Sequence, residues 1–161
     1  MGETNQYLTF TLEGEHYALS VLKVREVLEY TRITKIPRTA DFMKGVINLR
    51  GTGVPVIDLR TKFGMREVAP TKETSIIVME VEGTDGSVIL GALADSVQEV
   101  IELEPSQIES APRFGTKLAT DFILGMGKKD GAFIIILDID KIFSTNEVNL
   151  LNKLEAEPIE A

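Results

Sequence analysis

Residues 41–63 read DFMKGVINLRGTGVPVIDLRTKF, and residues 121–143 read DFILGMGKKDGAFIIILDIDKIF. Laid together without a gap, they share Asp41 with Asp121, Phe42 with Phe122, Gly45 with Gly125, Gly51 with Gly131, Asp58 with Asp138 and Phe63 with Phe143. Val54, Val56, Ile57 and Leu59 meet Ile134, Ile136, Leu137 and Ile139, so an apolar strand is kept as well. Repetition at a fixed offset marks a duplicated supersecondary unit. Each shared residue has a structural use: glycine admits tight-turn backbone angles, phenylalanine fills a core, and an aspartate at a strand's end caps the next turn of chain. The expected fold is mainly β, a duplicated unit forming two small barrels side by side.

Outward from the repeat, other strands obey the same logic. Residues 7–12 alternate, placing Leu8, Phe10 and Leu12 on one face. Glu13-Gly14-Glu15 turns the chain, and residues 16–19 return. Val21, Val24, Val27 and Leu28 fit a helical stripe, but the β-branched content favours a short turn and a strand from Val24. Thr39 is expected to cap a short helix through Lys44, closed by Gly45. Residues 46–49 and 54–58 form a hairpin around Arg50-Gly51-Thr52-Gly53, with a free edge expected at Pro55, which has no backbone donor. Residues 64–73 connect the halves, residues 75–82 and 88–93 pair around Gly83-Thr84-Asp85-Gly86, and residues 97–103 form another strand. Residues 105–117 read as loop, and residues 122–126 and 132–137 bracket Lys128-Lys129-Asp130-Gly131. Ser144-Thr145-Asn146-Glu147 is a capping box before Val148, Leu151 and Leu154, which predicts a helix over 144–155. The chain reads as a single domain over 1–161, with one barrel in 7–64 and the other in 74–144.

Composition narrows the function. The 161 residues carry a formal net charge of −8, which disfavours generic binding to nucleic acid or anionic lipid. No apolar run approaches the ~20 residues a membrane span needs, and the N-terminus lacks the basic-then-apolar order of a signal peptide. A cytoplasmic protein without direct membrane insertion is expected. Cysteine is absent, excluding disulfides and thiolate chemistry, and His16 is the single histidine. No nucleophile elbow, zinc helix or phosphate loop occurs. Asp138 and Asp140 suggest a cation loop, but Phe143 and Asn149 stand where that loop needs glycine and glutamate, so capping is the better account. No catalytic residue, metal or cofactor is expected.

The repeat also shows where recognition belongs. The first copy carries Asn48-Leu49-Arg50 between its glycines, the second Lys128-Lys129-Asp130. A requirement of the fold appears in both copies, whereas a copy-specific turn is free to recognise something. Arg50 therefore reads either as a solvated hairpin arginine or as a contact residue. Lys35, Arg38, Lys44, Arg50, Arg60, Lys62 and Arg66 make the first half locally basic, which keeps a nucleic-acid-binding barrel as the alternative.

Phe42-Met43-Lys44-Gly45-Val46-Ile47-Asn48-Leu49-Arg50-Gly51, with Val54-Pro55-Val56-Ile57-Asp58-Leu59-Arg60 after it, resembles the signature of the CheW family of bacterial chemotaxis adaptors. Residues 17–30, 91–100 and 137–142 are similar to further strands of that family, and the likeness runs from about residue 6 to residue 155. The resemblance implies two SH3-like five-stranded barrels around a shared core, with short helices and a C-terminal helix. It implies a non-catalytic scaffold joining the regulatory domain of the histidine kinase CheA to the cytoplasmic tip of methyl-accepting receptors. The alternative is a barrel module that binds nucleic acid or another protein outside chemotaxis. Carried over by position, Val24, Glu26 and Arg50, with Asn48 and Leu49 beside them, match receptor-binding or coupling positions. Ile36, Phe42 and Gly45 match the kinase side, although Phe42 and Gly45 recur in the second copy and so also have a structural reading.

Overall fold

The computed structural model describes residues 5–37, 41–83, 86–109 and 122–143. In chain order they form strands β1 (Asn5–Leu12), β2 (Glu15–Ser20), β3 (Val24–Glu29), β4 (Met43–Leu49), β5 (Thr52–Asp58), β6 (Ser75–Gly83), β7 (Gly86–Ala94), β8 (Ser96–Leu103), β9 (Ile123–Lys129) and β10 (Ala132–Leu137). Single helical turns α1 (Leu59–Lys62) and α2 (Ile139–Ile142) come directly after β5 and β10. The predicted aspartate caps are present: Asp58 accepts from the Arg60 N–H, and Asp138 from the Asp140 N–H. Thr39, Asp121 and the helix expected over 144–155 lie outside the described residues, as do most of the loop 105–117 and the tip of the 83–86 turn.

The strands form two five-stranded sheets, ordered β8-β1-β2-β10-β9 and β3-β6-β7-β5-β4. This corrects the division into 7–64 and 74–144. If β1–β5 and β6–β10 are taken as the two copies, each copy lends its first two strands to the other's sheet. The parallel pairs β2 with β10 and β5 with β7 are the joints of this exchange. Two short crossovers impose it. The 3-10 turn Val21–Lys23 carries the chain from β2 to β3, and Asp95 alone separates β7 from β8.

Each sheet closes on itself. Thr34, just beyond edge strand β3, bridges Val46 on the opposite edge strand β4. Glu109, just beyond β8, bridges Met126 on β9 in the same way. These closures explain the repeated glycine. A Cβ on Gly45 would stand 2.1 Å from the Thr34 carbonyl oxygen, and one on Gly125 2.7 Å from that of Glu109. They also correct the helix expected to run through Lys44: Met43 and Lys44 belong to β4, because that edge must lie extended to meet Thr34. Pro55 is not on an edge strand, since β5 lies between β7 and β4. The β7 ladder begins only at Val56, and Val46 directs its own amide and carbonyl to Thr34. The position therefore asks Pro55 for no donor.

Alternation along the strands sorts side chains into three cores. Tyr7, Ala18, Ile101, Leu103, Ile134 and Ile136 fill the first barrel, while Ile47, Val54, Val56, Ile76, Val78 and Leu93 fill the second. The opposite faces, including Leu8, Phe10, Leu12, Tyr17, Leu19, Met79, Leu90 and Leu137, meet in one shared core between them. Phe42 and Phe143 lie 5.7 Å apart between ring centroids in that core. At the bulge in β1, buried Thr9 bonds the Glu99 backbone, its hydroxyl donating to the carbonyl at 2.8 Å and accepting from the N–H at 3.1 Å.

Both crossovers are pinned by charge from equivalent places. Arg60 on α1 is 8 % exposed and grips Asp95 with two bonds, the Nε donation being 2.8 Å, while Nη1 donates to the Arg66 carbonyl at 3.2 Å. Asp140, the α2 counterpart of Arg60, pairs with Lys23 at 2.7 Å. Truncating Arg60 removes a buried side chain together with its bonds to Asp95 and to the Arg66 carbonyl, while Asp95, 32 % exposed, regains water. Arg60→Ala is therefore expected to lower the unfolding free energy by about 2 kcal/mol. Urea unfolding monitored by circular dichroism measures this, and a loss below about 0.5 kcal/mol, typical of a surface change, would contradict it.

Candidate protein-interaction site

The β4–β5 hairpin turns on Arg50 and Gly51, with φ of 50° and 87°. Two consecutive positive φ values make the tight hairpin turn whose twist suits antiparallel strands. The second copy builds the same turn from Asp130 and Gly131, with φ of 52° and 80°. Aspartate visits this left-handed region readily, whereas a long side chain such as arginine does so rarely. Arg50 is thus held in an unfavourable conformation at an exposed tip, and such outliers concentrate at functional positions.

Across the seam of the barrel stands Glu26 on β3. Arg50 donates to both its carboxylate oxygens, Nη2 at 2.8 Å and Nη1 at 3.3 Å. The pair joins strands at opposite edges of the sheet, which closure brings together. The hydrogen-bonded guanidinium lowers the Glu26 carboxyl below its usual value, and the carboxylate in turn raises Arg50. Arg50 remains 72 % exposed while Glu26 is 30 % exposed, so the guanidinium keeps a free face toward solvent. Asn48 supports the turn, its Oδ1 accepting from the Gly51 N–H at 2.8 Å.

Of the receptor-side candidates, the structure brings Glu26, Asn48 and Arg50 together. Leu49 turns partly inward against the core of the second barrel. Val24 starts β3 after the 3-10 turn and lies half-buried on the shared core. Sequence reasoning missed Leu22, a leucine 91 % exposed on that turn, and Val27, 42 % exposed on β3. The signal was available for Leu22, which falls outside the stripe of Val21, Val24, Val27 and Leu28.

The kinase-side candidates fare differently. Phe42 is buried, with Phe143 beside it and the Lys62 ammonium 4.9 Å from its ring centroid. Gly45 is buried at the barrel closure. Both do structural work, Phe42 in the shared core and Gly45 at the barrel closure. Ile36 remains, half-buried on the connection between β3 and β4.

Other polar groups are absorbed by structure. Asp138 caps α2 and Asp140 holds Lys23, so this carboxylate pair is already engaged. A cleft of about 390 Å3 is lined by Lys44, Asp58, Arg60, Glu67 and Asp95, but Lys44 pairs with Glu67 and Arg60 with Asp95. Burial pushes the Asp58 carboxyl up, against its bond from the Arg60 amide. Among the described residues no group of three acidic or histidine side chains is placed to hold a metal, and no helix is long and apolar enough to cross a membrane.

The CheW-like domain family matches residues 6–147. The chain is 39% identical over 155 residues to the chemotaxis protein CheW of Klebsiella aerogenes, covering 95% of this chain and 91% of that one. It is 33% identical to CheW of Bacillus subtilis, covering 84% of each. The crystal structure of the scaffolding protein TtCheW from Thermoanaerobacter tengcongensis superposes with a TM-score of 0.77 at 35% identity, covering 91% of this chain and 92% of that one. The two closed sheets over a shared core and these matches agree, and the chain belongs to the CheW family.

Proposed function

We propose that this protein is a non-catalytic adaptor of chemotaxis signalling that couples methyl-accepting receptors to the histidine kinase CheA. The observation that carries the receptor side is Arg50, displayed on a strained turn, aimed by Glu26 and absent from the second copy of the repeat. Receptor tips are helical, and a helix laid along the seam between β3 and the β4–β5 turn meets a directed charge from Arg50. The exposed face of the guanidinium offers directed donors to a carboxylate or helix carbonyl, which sets register more than affinity. Modest affinity suffices where an array supplies many contacts at once.

The kinase side belongs to a separate surface that includes Ile36 and takes the regulatory domain of CheA. The adaptor works in the cytoplasm and reaches the membrane only through its receptors. Family membership favours this reading over a nucleic-acid module or a partner outside chemotaxis.

Purified protein is expected to bind a receptor-tip helical hairpin and a CheA regulatory domain when each is offered alone, and to take up no phosphate from the kinase. Protein that ignores both partners, or that hydrolyses or transfers phosphate unaided, contradicts the proposal. Nucleic-acid binding with steep salt dependence would favour the alternative.

A further inference from the structure

The turn that carries Arg50 has a support that its twin lacks. Asn48 Oδ1 accepts the Gly51 N–H at 2.8 Å, three residues along the chain. In the second copy Lys128 stands at the corresponding position, with its ammonium 5.5 Å from the centroid of the Phe133 ring. Lysine has no acceptor to offer, yet Asp130 and Gly131 adopt almost the same backbone φ angles as Arg50 and Gly51. The fold therefore forms this turn without a side-chain acceptor at that position. What differs is the residue at the first turn position: aspartate tolerates it readily, and arginine does not. Asn48 thus supports the turn in the copy whose first position is held by the less tolerant residue, and Arg50 makes its bonds to Glu26 from that position.

We propose that Asn48 is a positioning residue, whose amide oxygen holds the turn that aims Arg50 at Glu26 and which acts on receptor coupling through Arg50 without touching the partner. The inference rests on the receptor reading for its consequence, but its geometry can be measured in this chain alone.

The first measurement is the carboxyl titration of Glu26 by NMR, in the wild type and in Asn48→Ala. The variant is expected to stay folded with a slightly lowered unfolding midpoint, as the loss of one exposed hydrogen bond implies, while the Glu26 titration rises toward its position in Arg50→Ala. An unchanged titration in Asn48→Ala overturns the proposal. The second measurement is affinity for a receptor-tip helical hairpin. Loss of one oriented hydrogen bond predicts about tenfold weaker binding in Asn48→Ala. In the Arg50→Ala background the same change is expected to have no further effect, since its target is gone. A further tenfold loss there means that Asn48 meets the receptor directly, and the proposal fails. If the titration moves as expected but neither substitution alters binding, the positioning stands and the receptor reading falls.

Discussion

Gly45→Ala is expected to lower the unfolding free energy by about 3 kcal/mol or more, as forced overpacking against rigid neighbours does. The added methyl would sit 2.1 Å from the Thr34 carbonyl oxygen and 2.8 Å from the Ile33 Cγ2, and the φ of 147° is one that side chains seldom adopt. Neither neighbour yields at low cost, because Thr34 is held by hydrogen bonds of 2.9 and 2.8 Å to Val46, the bonds that close the barrel. For a domain of this size such a loss corresponds to a fall of about 10 °C in the melting temperature. Gly51→Ala provides the contrast: it suffers positive φ but finds nothing within 4 Å, and should cost less. The experiment also decides the standing of Gly45 as a kinase-side residue. A variant that melts like the wild type yet no longer binds the kinase regulatory domain would restore Gly45 as a contact and refute its place in the closure.

That glycine shows how far the chain could be read before folding. Its recurrence at Gly125 was visible, and so were the hairpins and the two aspartate caps, because each depends on residues close in sequence. The short helix through Lys44 was misread because a cap, a few intervening residues and a glycine satisfy local rules that the Thr34 bridge overrides. The exchange of hairpins between copies was not legible at all. Alternation tells which residues a strand buries but not which strand lies beside it, and the partners are set by crossovers as short as the single Asp95. The Arg60–Asp95 pair was hidden for the same reason, being 35 residues apart with no periodicity to link them. Glu26 and Arg50 came together from family likeness. Physics alone marked Arg50 as different between the copies, and only barrel closure put the carboxylate opposite it.

Arg50→Ala is expected to weaken binding to a receptor tip by about thirtyfold, the effect of removing an interface anchor, with the fold left in place. Two features of the turn separate this outcome from simple damage. The side chain is 72 % exposed and its carboxylate partner, Glu26, is 30 % exposed, so the freed carboxylate returns to water without being stranded. Its backbone is also in the left-handed region, which glycine occupies without strain. Arg50→Gly should therefore raise the unfolding midpoint slightly while losing receptor binding as fully as the alanine variant. A residue kept for stability cannot show that pattern, because replacing it would move stability and binding in the same direction. Kinase binding, measured with the regulatory domain alone, should stay unchanged in both variants. If thermal unfolding of Arg50→Gly falls sharply below that of the wild type, the arginine is structural. If receptor affinity is instead retained, the seam is not the receptor surface, and the charge pair only ties β3 to the hairpin.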